Sequence, residues 1–362
     1  MMDRKLRCAI VGCGGIARSH ANGYTVCPET EIVALCDLLP DKAERFAVEH
    51  CPGATPKIYT DYNEMFEKEE LDCVSVTVWN SEHAAISIAA LKAGINVLCE
   101  KPMAMTAPDA EEMLAVAKEN GKLLQIGFVR RYENTTRHIQ NLISDGFLGD
   151  VYYAKAQYLR RNGCPGGWFA DKSFSGGGPL IDLGVHVIDL VRFLSGGPKP
   201  VSVYGYTFDN LGRNRAPRAI PEGGYRRDYE FGDRYQFKND TEDFAGAIIR
   251  FDSGLVLQVE ASFNLNLKSP VGQIDLFGTK SALQLTDHIE LFGVVNDYYM
   301  NMTPQELPKN DFKTMFEKEI AHFADCVKNG ADCIAPAEDG VTLMKILDAI
   351  YESAKTGHEV IL

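Results

Sequence analysis

The sequence predicts an α/β protein in two parts. An open, doubly wound parallel sheet comes first, and a second α/β unit built on a large, mainly antiparallel sheet follows. Three observations carry this reading. Short, continuous apolar runs alternate with amphipathic stretches through the first third of the chain, as parallel strands buried on both faces should. That rhythm then gives way to longer strand signals separated by tight turns. The length of 362 residues also exceeds the usual single domain of about 150 residues.

The apolar runs are Cys8–Val11, Ile32–Cys36, Val74–Val78, Val97–Cys99 and Leu123–Ile126. Helical patterns lie between them at Ala17–Val26, Pro40–Glu49, Glu82–Ala93 and Pro108–Asn120, and Gly94 and Gly121 stand where helix C-terminal glycines belong. A β-α-β-α order of this kind specifies a parallel sheet with helices on both faces. Beyond it, a helix over Glu133–Asp145 leads into a long strand, Val151–Arg161. A glycine-rich segment and an apolar helix over Leu180–Leu194 come next. Strand signals recur at Val201–Phe208, Phe244–Phe251, Val256–Phe263, Gln273–Phe277 and Ala282–Leu285, with Ser253-Gly254 and Thr279-Lys280 as hairpin turns. Helices over Lys313–Lys328 and Asp339–Lys355 close the chain. The expected division is residues 1–129 and 130–362. The segment Leu211–Lys238, rich in Arg, Gly and aromatic residues, reads as a surface loop or as a lid or intersubunit arm.

Hydrophobic residues make up 45% and charged residues 24%, with a net charge of −13. An acidic surface repels nucleic acid and anionic membrane, so neither partner is expected. No apolar run is long enough to span a bilayer. The start, Met1 to Ala17, is cut by Gly12, Gly14 and Gly15 and reads as folded protein rather than a leader. Several of the ten cysteines, including Cys8, Cys36, Cys73 and Cys99, sit inside the apolar runs. That is the use of reduced cysteine as a small core residue, and it points to the cytoplasm. The sequence holds no Cys-x-x-Cys, His-x-x-x-His or His-Glu-x-x-His spacing, so no metal is expected.

Gly12-Cys13-Gly14-Gly15-Ile16-Ala17 follows the first strand and opens the first helix. Gly12 permits a tight turn, Gly14 and Gly15 let backbone approach a pyrophosphate, and Ile16 begins a helix whose free N–H groups attract it. Asp37 ends the second strand 20 residues after Ala17, where a carboxylate takes the adenosine ribose hydroxyls. A carboxylate there repels a 2′-phosphate, and Leu38 and Leu39 offer no cation, so NAD is expected over NADP. Glu100-Lys101-Pro102 closes the fourth apolar run, at a strand end that faces the ligand crevice. Asp182 and His186 are spaced i,i+4 on an otherwise apolar helix, with Asp189 three residues further on. Charge on a buried helix needs a partner or a cavity. A structural Asp–His pair and a catalytic histidine in a cleft both satisfy that requirement.

Together these motifs resemble the Gfo/Idh/MocA family of nicotinamide-dependent oxidoreductases in order and spacing, over essentially the whole chain. The resemblance implies a Rossmann domain followed by a domain whose sheet mediates homodimers or homotetramers. It implies Lys101, Asp182 and His186 as the catalytic group, with Asn80, His83 and Glu100 beside the cofactor. Lys101 would polarise the substrate oxygen and His186 would take its proton, although either could be the formal base. Arg160, Arg161 and Trp168 stand in a segment similar to that of members acting on sugars and glycosides. A pyranose could lie on the flat face of Trp168, with the arginines binding its hydroxyls. The expected activity is oxidation of a secondary hydroxyl of a sugar, glycoside or cyclic polyol. An NAD-dependent glycosidase, a reductase of an anhydro-keto sugar and a dinucleotide-binding sensor are the alternatives.

Overall fold

In the computed structural model, which describes residues 4–211 and 235–362, the chain divides into two compact units. The first comprises Met1–Tyr132 and Asn310–Val341, the second Glu133–Lys309 and Thr342–Leu362. The first unit therefore includes a late helix that the sequence reading grouped with the second half of the chain. Among the described residues, no helix is long and apolar enough to cross a membrane. Most of the segment 211–238 lies outside the described residues.

The first unit runs β1 (Leu6–Val11), α1 (Ala17–Val26), β2 (Thr30–Cys36), α2 (Pro40–His50), β3 (Lys57–Tyr59) and α3 (Tyr62–Lys68). It continues with β4 (Cys73–Val76), α4 (His83–Lys92), β5 (Asn96–Glu100), α5 (Ala107–Glu119) and β6 (Leu124–Gly127). The strands form one parallel sheet in the order β3-β2-β1-β4-β5-β6. The reversal of direction between β1 and β4 creates the crevice at which ligands bind in such sheets. The apolar runs are its central strands, and Cys8, Ile10, Val74, Val97 and Leu98 are fully buried. β3 and α3 are additions to the expected list. Lys57-Ile58-Tyr59 is too short and too polar to stand out as a strand by periodicity.

α1 packs against the late helix of this unit over Phe312–Asn329. Gly23 makes the contact possible, because a Cβ there would come within 2.6 Å of Ile320 Cγ1.

The second unit carries α6 (Asn134–Ser144), β7 (Val151–Leu159), α7 (Lys172–Ser175) and α8 (Val185–Leu194). Then come β8 (Pro200–Phe208), β9 (Phe244–Phe251), β10 (Val256–Ser262), β11 (Val271–Gly278), β12 (Ser281–Leu285), β13 (Ile289–Val295) and β14 (Tyr298–Met302). The Phe312–Asn329 helix is α9. Helix α10 (Ala337–Thr356) and the short β15 (Val360–Ile361) end the chain. The sheet order is β14-β13-β12-β11-β7-β10-β9-β8-β15. Every pairing is antiparallel except β7 with β10, so the sheet is mainly antiparallel as expected. β13 and β14 are not in the expected list: β14 is almost wholly exposed, and β13 buries only Ile289 and Leu291 before its exposed Val294 and Val295.

Candidate active site

The residues of the first unit expected to hold a cofactor gather at the carboxyl ends of its parallel strands. Gly12 leaves β1 with φ of 92°. A Cβ there would stand 2.6 Å from the Thr77 carbonyl oxygen, so only glycine fits both the turn and the neighbour. Gly14 and Gly15 are the opposite case: among the described residues, nothing beyond their chain neighbours lies within 4 Å of where their Cβ would be. That open space, in front of the N-terminus of α1, fits a pyrophosphate against bare backbone. Ala17 is fully buried between helix and strand. Burial raises the Cys13 thiol well above its ordinary range, so this residue of the loop stays neutral and unreactive.

Asp37 is anchored at the end of β2. Its carboxylate accepts the N–H of Cys13 at 2.9 Å and of Leu39 at 3.0 Å. The two bonds brace the glycine loop against β2, and the carboxylate retains lone pairs for ribose hydroxyls. Lys42 lies 3.1 Å from Asp37 Oδ2. Leu38 and Leu39 offer no cation, but the first turn of α2 brings Lys42 back to the carboxylate.

Lys101 and Pro102 follow β5, joined by a cis peptide bond. His83, fully enclosed at the start of α4, places Nδ1 2.7 Å from the Pro102 carbonyl and Nε2 3.2 Å from the Val78 carbonyl. Burial depresses its pKa, so the ring is neutral and carries one N–H. The shorter contact takes that proton, and His83 thereby ties the Lys101–Pro102 turn to the end of β4. Asn80 opens the short turn just before it and is also buried.

Glu100 points inward. Its Oε2 accepts the Lys101 N–H at 3.1 Å and its Oε1 lies 2.9 Å from His20 Nε2. His20 Nδ1 continues to Ser75 Oγ at 3.0 Å, and Ser75 to the Tyr24 hydroxyl at 2.8 Å. Glu319 of α9 completes this buried cluster: ligand atoms of His20, Glu100 and Glu319 all lie within 4.8 Å of one another. Neither Glu319 oxygen has a hydrogen-bond partner among the described residues. Burial first, and then the nearby Glu100, push the Glu319 carboxyl far above its ordinary value, which makes it a neutral acid. His20 and Glu319 went unnoticed in the sequence because each sits among core residues of an amphipathic helix.

In the second unit, Asp182 and His186 lie on one continuous helical segment, but the geometry differs from the expectation. Leu180–Gly184 is a π-helical turn, with the Val185 N–H reaching back to the Leu180 carbonyl, and regular α-helix begins at Val185. Such turns frequently mark functional sites. Asp182 and Asp189 are buried, whereas His186 is half-buried.

The glycine run before this segment serves close packing. A Cβ on Gly177 would overlap the Tyr351 hydroxyl, and one on Gly178 would overlap the Glu242 carbonyl. Glu242 accepts the N–H of Gly178 at 2.9 Å, the N–H of Leu180 at 3.3 Å and the Tyr351 hydroxyl at 2.8 Å. It thus neutralises the positive end of the helix. Asp171 extends the same bracing, accepting the Lys238 N–H at 2.8 Å and the Ser173 N–H at 2.9 Å.

Arg160 and Arg161 differ in setting. Arg160 is buried, donates to the Gly163 carbonyl at 3.0 Å and lies over the Tyr158 ring, so its guanidinium shapes the loop. Arg161 is half-buried. Trp168 is half-buried in a short turn and stacks on Phe169 with centroids 3.8 Å apart.

Comparison with known proteins matches residues 6–128 to the model of an oxidoreductase family with an NAD-binding Rossmann fold. Residues 136–284 match the GFO/IDH/MocA C-terminal domain. The chain is 31% identical to D-glucoside 3-dehydrogenase of Escherichia coli K12, covering 99% of this chain and 98% of that protein. It is 27% identical to scyllo-inositol 2-dehydrogenase (NAD(+)) of Bacillus subtilis 168, over 99% and 97% of the two chains. The structure of levoglucosan dehydrogenase in complex with NADH superposes with a TM-score of 0.84 at 21% identity, covering 99% of each chain, and shares the fold.

Proposed function

The chain belongs to the Gfo/Idh/MocA family of NAD-binding oxidoreductases, and from that membership we propose that it oxidises a secondary hydroxyl of a sugar, glycoside or cyclic polyol to a ketone. One observation carries the reading. Lys101 leaves the carboxyl end of β5 on the same edge of the parallel sheet as the open backbone at Gly14 and Gly15. A cation at that edge stands where the reacting end of a bound dinucleotide belongs. Relatives named for glucoside and inositol oxidation support the substrate class.

The bound nicotinamide supplies the hydride acceptor. The chain supplies binding and proton chemistry. Backbone N–H groups at the start of α1 bind the pyrophosphate, and Asp37 accepts ribose hydroxyls. Lys101 donates to the substrate oxygen and stabilises negative charge as the carbon–hydrogen bond breaks. His186 takes the hydroxyl proton, with Lys101 as the alternative base. Asp182 orients the imidazole or holds a neighbouring hydroxyl. Trp168 offers an apolar platform to the sugar ring, and Arg161 a donor at its rim.

The ten free cysteines suit a reducing compartment such as the cytoplasm. Exposed Tyr204, Phe208 and Ile248 on β8 and β9 suit burial in a homodimer or homotetramer. The decisive experiment follows cofactor absorbance with NAD or NADP across inositols, free sugars, anhydrosugars and glycosides. Reduction of NAD with one class is expected. His186→Ala should slow it by about 10²–10⁴-fold, and Lys101→Ala should also depress it. Equal turnover in both variants would refute the assignment.

A further inference from the structure

Three side chains of the first unit, apart from the cofactor residues, converge near the surface. His322 and Cys326 are one turn apart on α9, and Cys333 lies beyond Gly330, which ends that helix with φ of 71°. Their candidate ligand atoms all lie within 4.8 Å of one another, and Cys326 Sγ is 3.4 Å from His322 Nε2. We propose that His322, Cys326 and Cys333 form a binding site for a soft divalent metal ion, zinc by ligand chemistry, with a fourth position left for water.

The distances fit. Tetrahedral zinc with bonds of about 2.3 Å to sulfur and about 2.0 Å to nitrogen holds neighbouring sulfur and nitrogen ligands roughly 3.5 Å apart. Two thiolates also balance the ion's charge, and the nearby Asp325 adds a favourable field. Softness of the donors selects zinc over magnesium or calcium. Half-burial of His322 and Cys333 leaves a route in from solvent.

The third ligand is fixed by the backbone around it. Ile126 donates its N–H to the Ala335 carbonyl at 3.0 Å, Gln125 bridges to Pro336, and Arg131 donates to the Ile334 carbonyl. Cys333 is therefore pinned to β6 whatever its sulfur does. The Ala335 N–H donates to the Cys333 sulfur. Backbone N–H donation to a ligating sulfur is a usual second shell of a thiolate site. The Ile334 N–H donates to His322 Nε2 at 3.1 Å, so a metal at that nitrogen must displace this N–H from the lone pair.

The test titrates cobalt(II) into full-length protein, reduced and stripped with chelator. The expected result is one equivalent bound, with thiolate-to-cobalt charge-transfer absorption and intense tetrahedral bands that zinc then bleaches. Cys333→Ser and His322→Ala should weaken binding at least about tenfold, the loss of one strong ligand interaction. Cys164→Ser, in the second unit, should leave it unchanged. Zinc should also raise the Tm of the wild type more than that of Cys333→Ser, which keeps the test informative if the variant is less stable. Absence of the charge-transfer band would overturn the proposal, and so would an undiminished band in Cys333→Ser. Oxidised glutathione converting the pair to a disulfide, while the reduced protein takes up no cobalt, would also overturn it.

Discussion

Replacing Glu319 with Gln should make the protein more stable at high pH relative to wild type, by an amount that grows with pH. Glu319 is wholly buried, its oxygens lack partners among the described residues, and the Glu100 carboxyl is a neighbour. An ionised Glu319 would meet several kcal/mol of desolvation and repulsion from Glu100, with no hydrogen bond in return. The folded protein therefore keeps it protonated. In the unfolded chain it ionises from its ordinary value of 4.5. A raised carboxyl contributes stability that is fully present below the unfolded pKa and is lost as pH rises toward the folded one. The slope in that window is one proton, about 1.4 kcal/mol per pH unit. Gln at this position is neutral at every pH and has nearly the same shape, so its slope is zero.

Between about pH 5.5 and 7.5, the stability difference should accordingly shift by roughly 2.7 kcal/mol in favour of Glu319→Gln. The assay is urea unfolding in a Trp168→Phe background, where the remaining Trp79 reports on the first unit. His20, Glu100, Cys333, Tyr24 and Tyr132 face or approach the carboxyl, and all are retained in both proteins. Their own titrations therefore cancel to first order. A protonated-carboxyl stretch in the infrared, lost in the variant, gives a second reading. Parallel pH curves for the two proteins would refute the reasoning, because they would mean that Glu319 ionises in the folded state as it does in the unfolded one.

Other substitutions test the rest of the site. Asp37→Ser removes a charged acceptor and releases Lys42. Loss of about 1.5–3 kcal/mol of charged hydrogen bonding should lower kcat/KM with NAD by roughly 10–100-fold. NADP should suffer less, and an unchanged NAD-to-NADP ratio would leave Asp37 a purely structural role. Glu242→Gln keeps the shape but turns an amide donor toward Gly178, Leu180 or Tyr351, and should cost about 1–3 kcal/mol in thermal or urea unfolding. His83→Gln tests the neutral histidine. Its depressed pKa means that wild type loses stability as pH falls through the unfolded value of 6.5 toward the folded one. The Gln variant should show a flatter acid limb, and an identical limb would contradict a neutral His83.

What could be read from the sequence, and what could not, follows from how local each constraint is. Gly12, Gly14, Gly15 and Asp37 are legible because the constraint on each lies within one β-α-β unit, at a spacing set by the strand and helix themselves. The buried strands are legible because burial on both faces writes itself as a continuous apolar run. Lys42 was missed because a lysine in a first helical turn is ordinary unless one knows that the turn folds back onto Asp37. Glu242 was missed for a stronger reason. Its role is to cap a helix about sixty residues earlier, and only the folded sheet brings the two together.

The glycine run shows how a correct identification can carry the wrong physics. Three consecutive glycines before a helix read naturally as flexibility. Here, however, Gly177 and Gly178 are small because Tyr351 and Glu242 occupy the space a Cβ would need. The loop is tightly packed, and rigidity at that point has a consequence for Asp182 and His186. A helix capped by a carboxylate on its first N–H groups cannot slide to recover ideal α geometry. The π-turn at Leu180–Gly184 therefore persists and resets the register between the two residues. The i,i+4 rule that paired them in the sequence holds for uniform α-helix. Across this junction their relation is set by the extra residue in the turn, and deleting one residue there to restore regular α-helix should leave them three apart and still on one face.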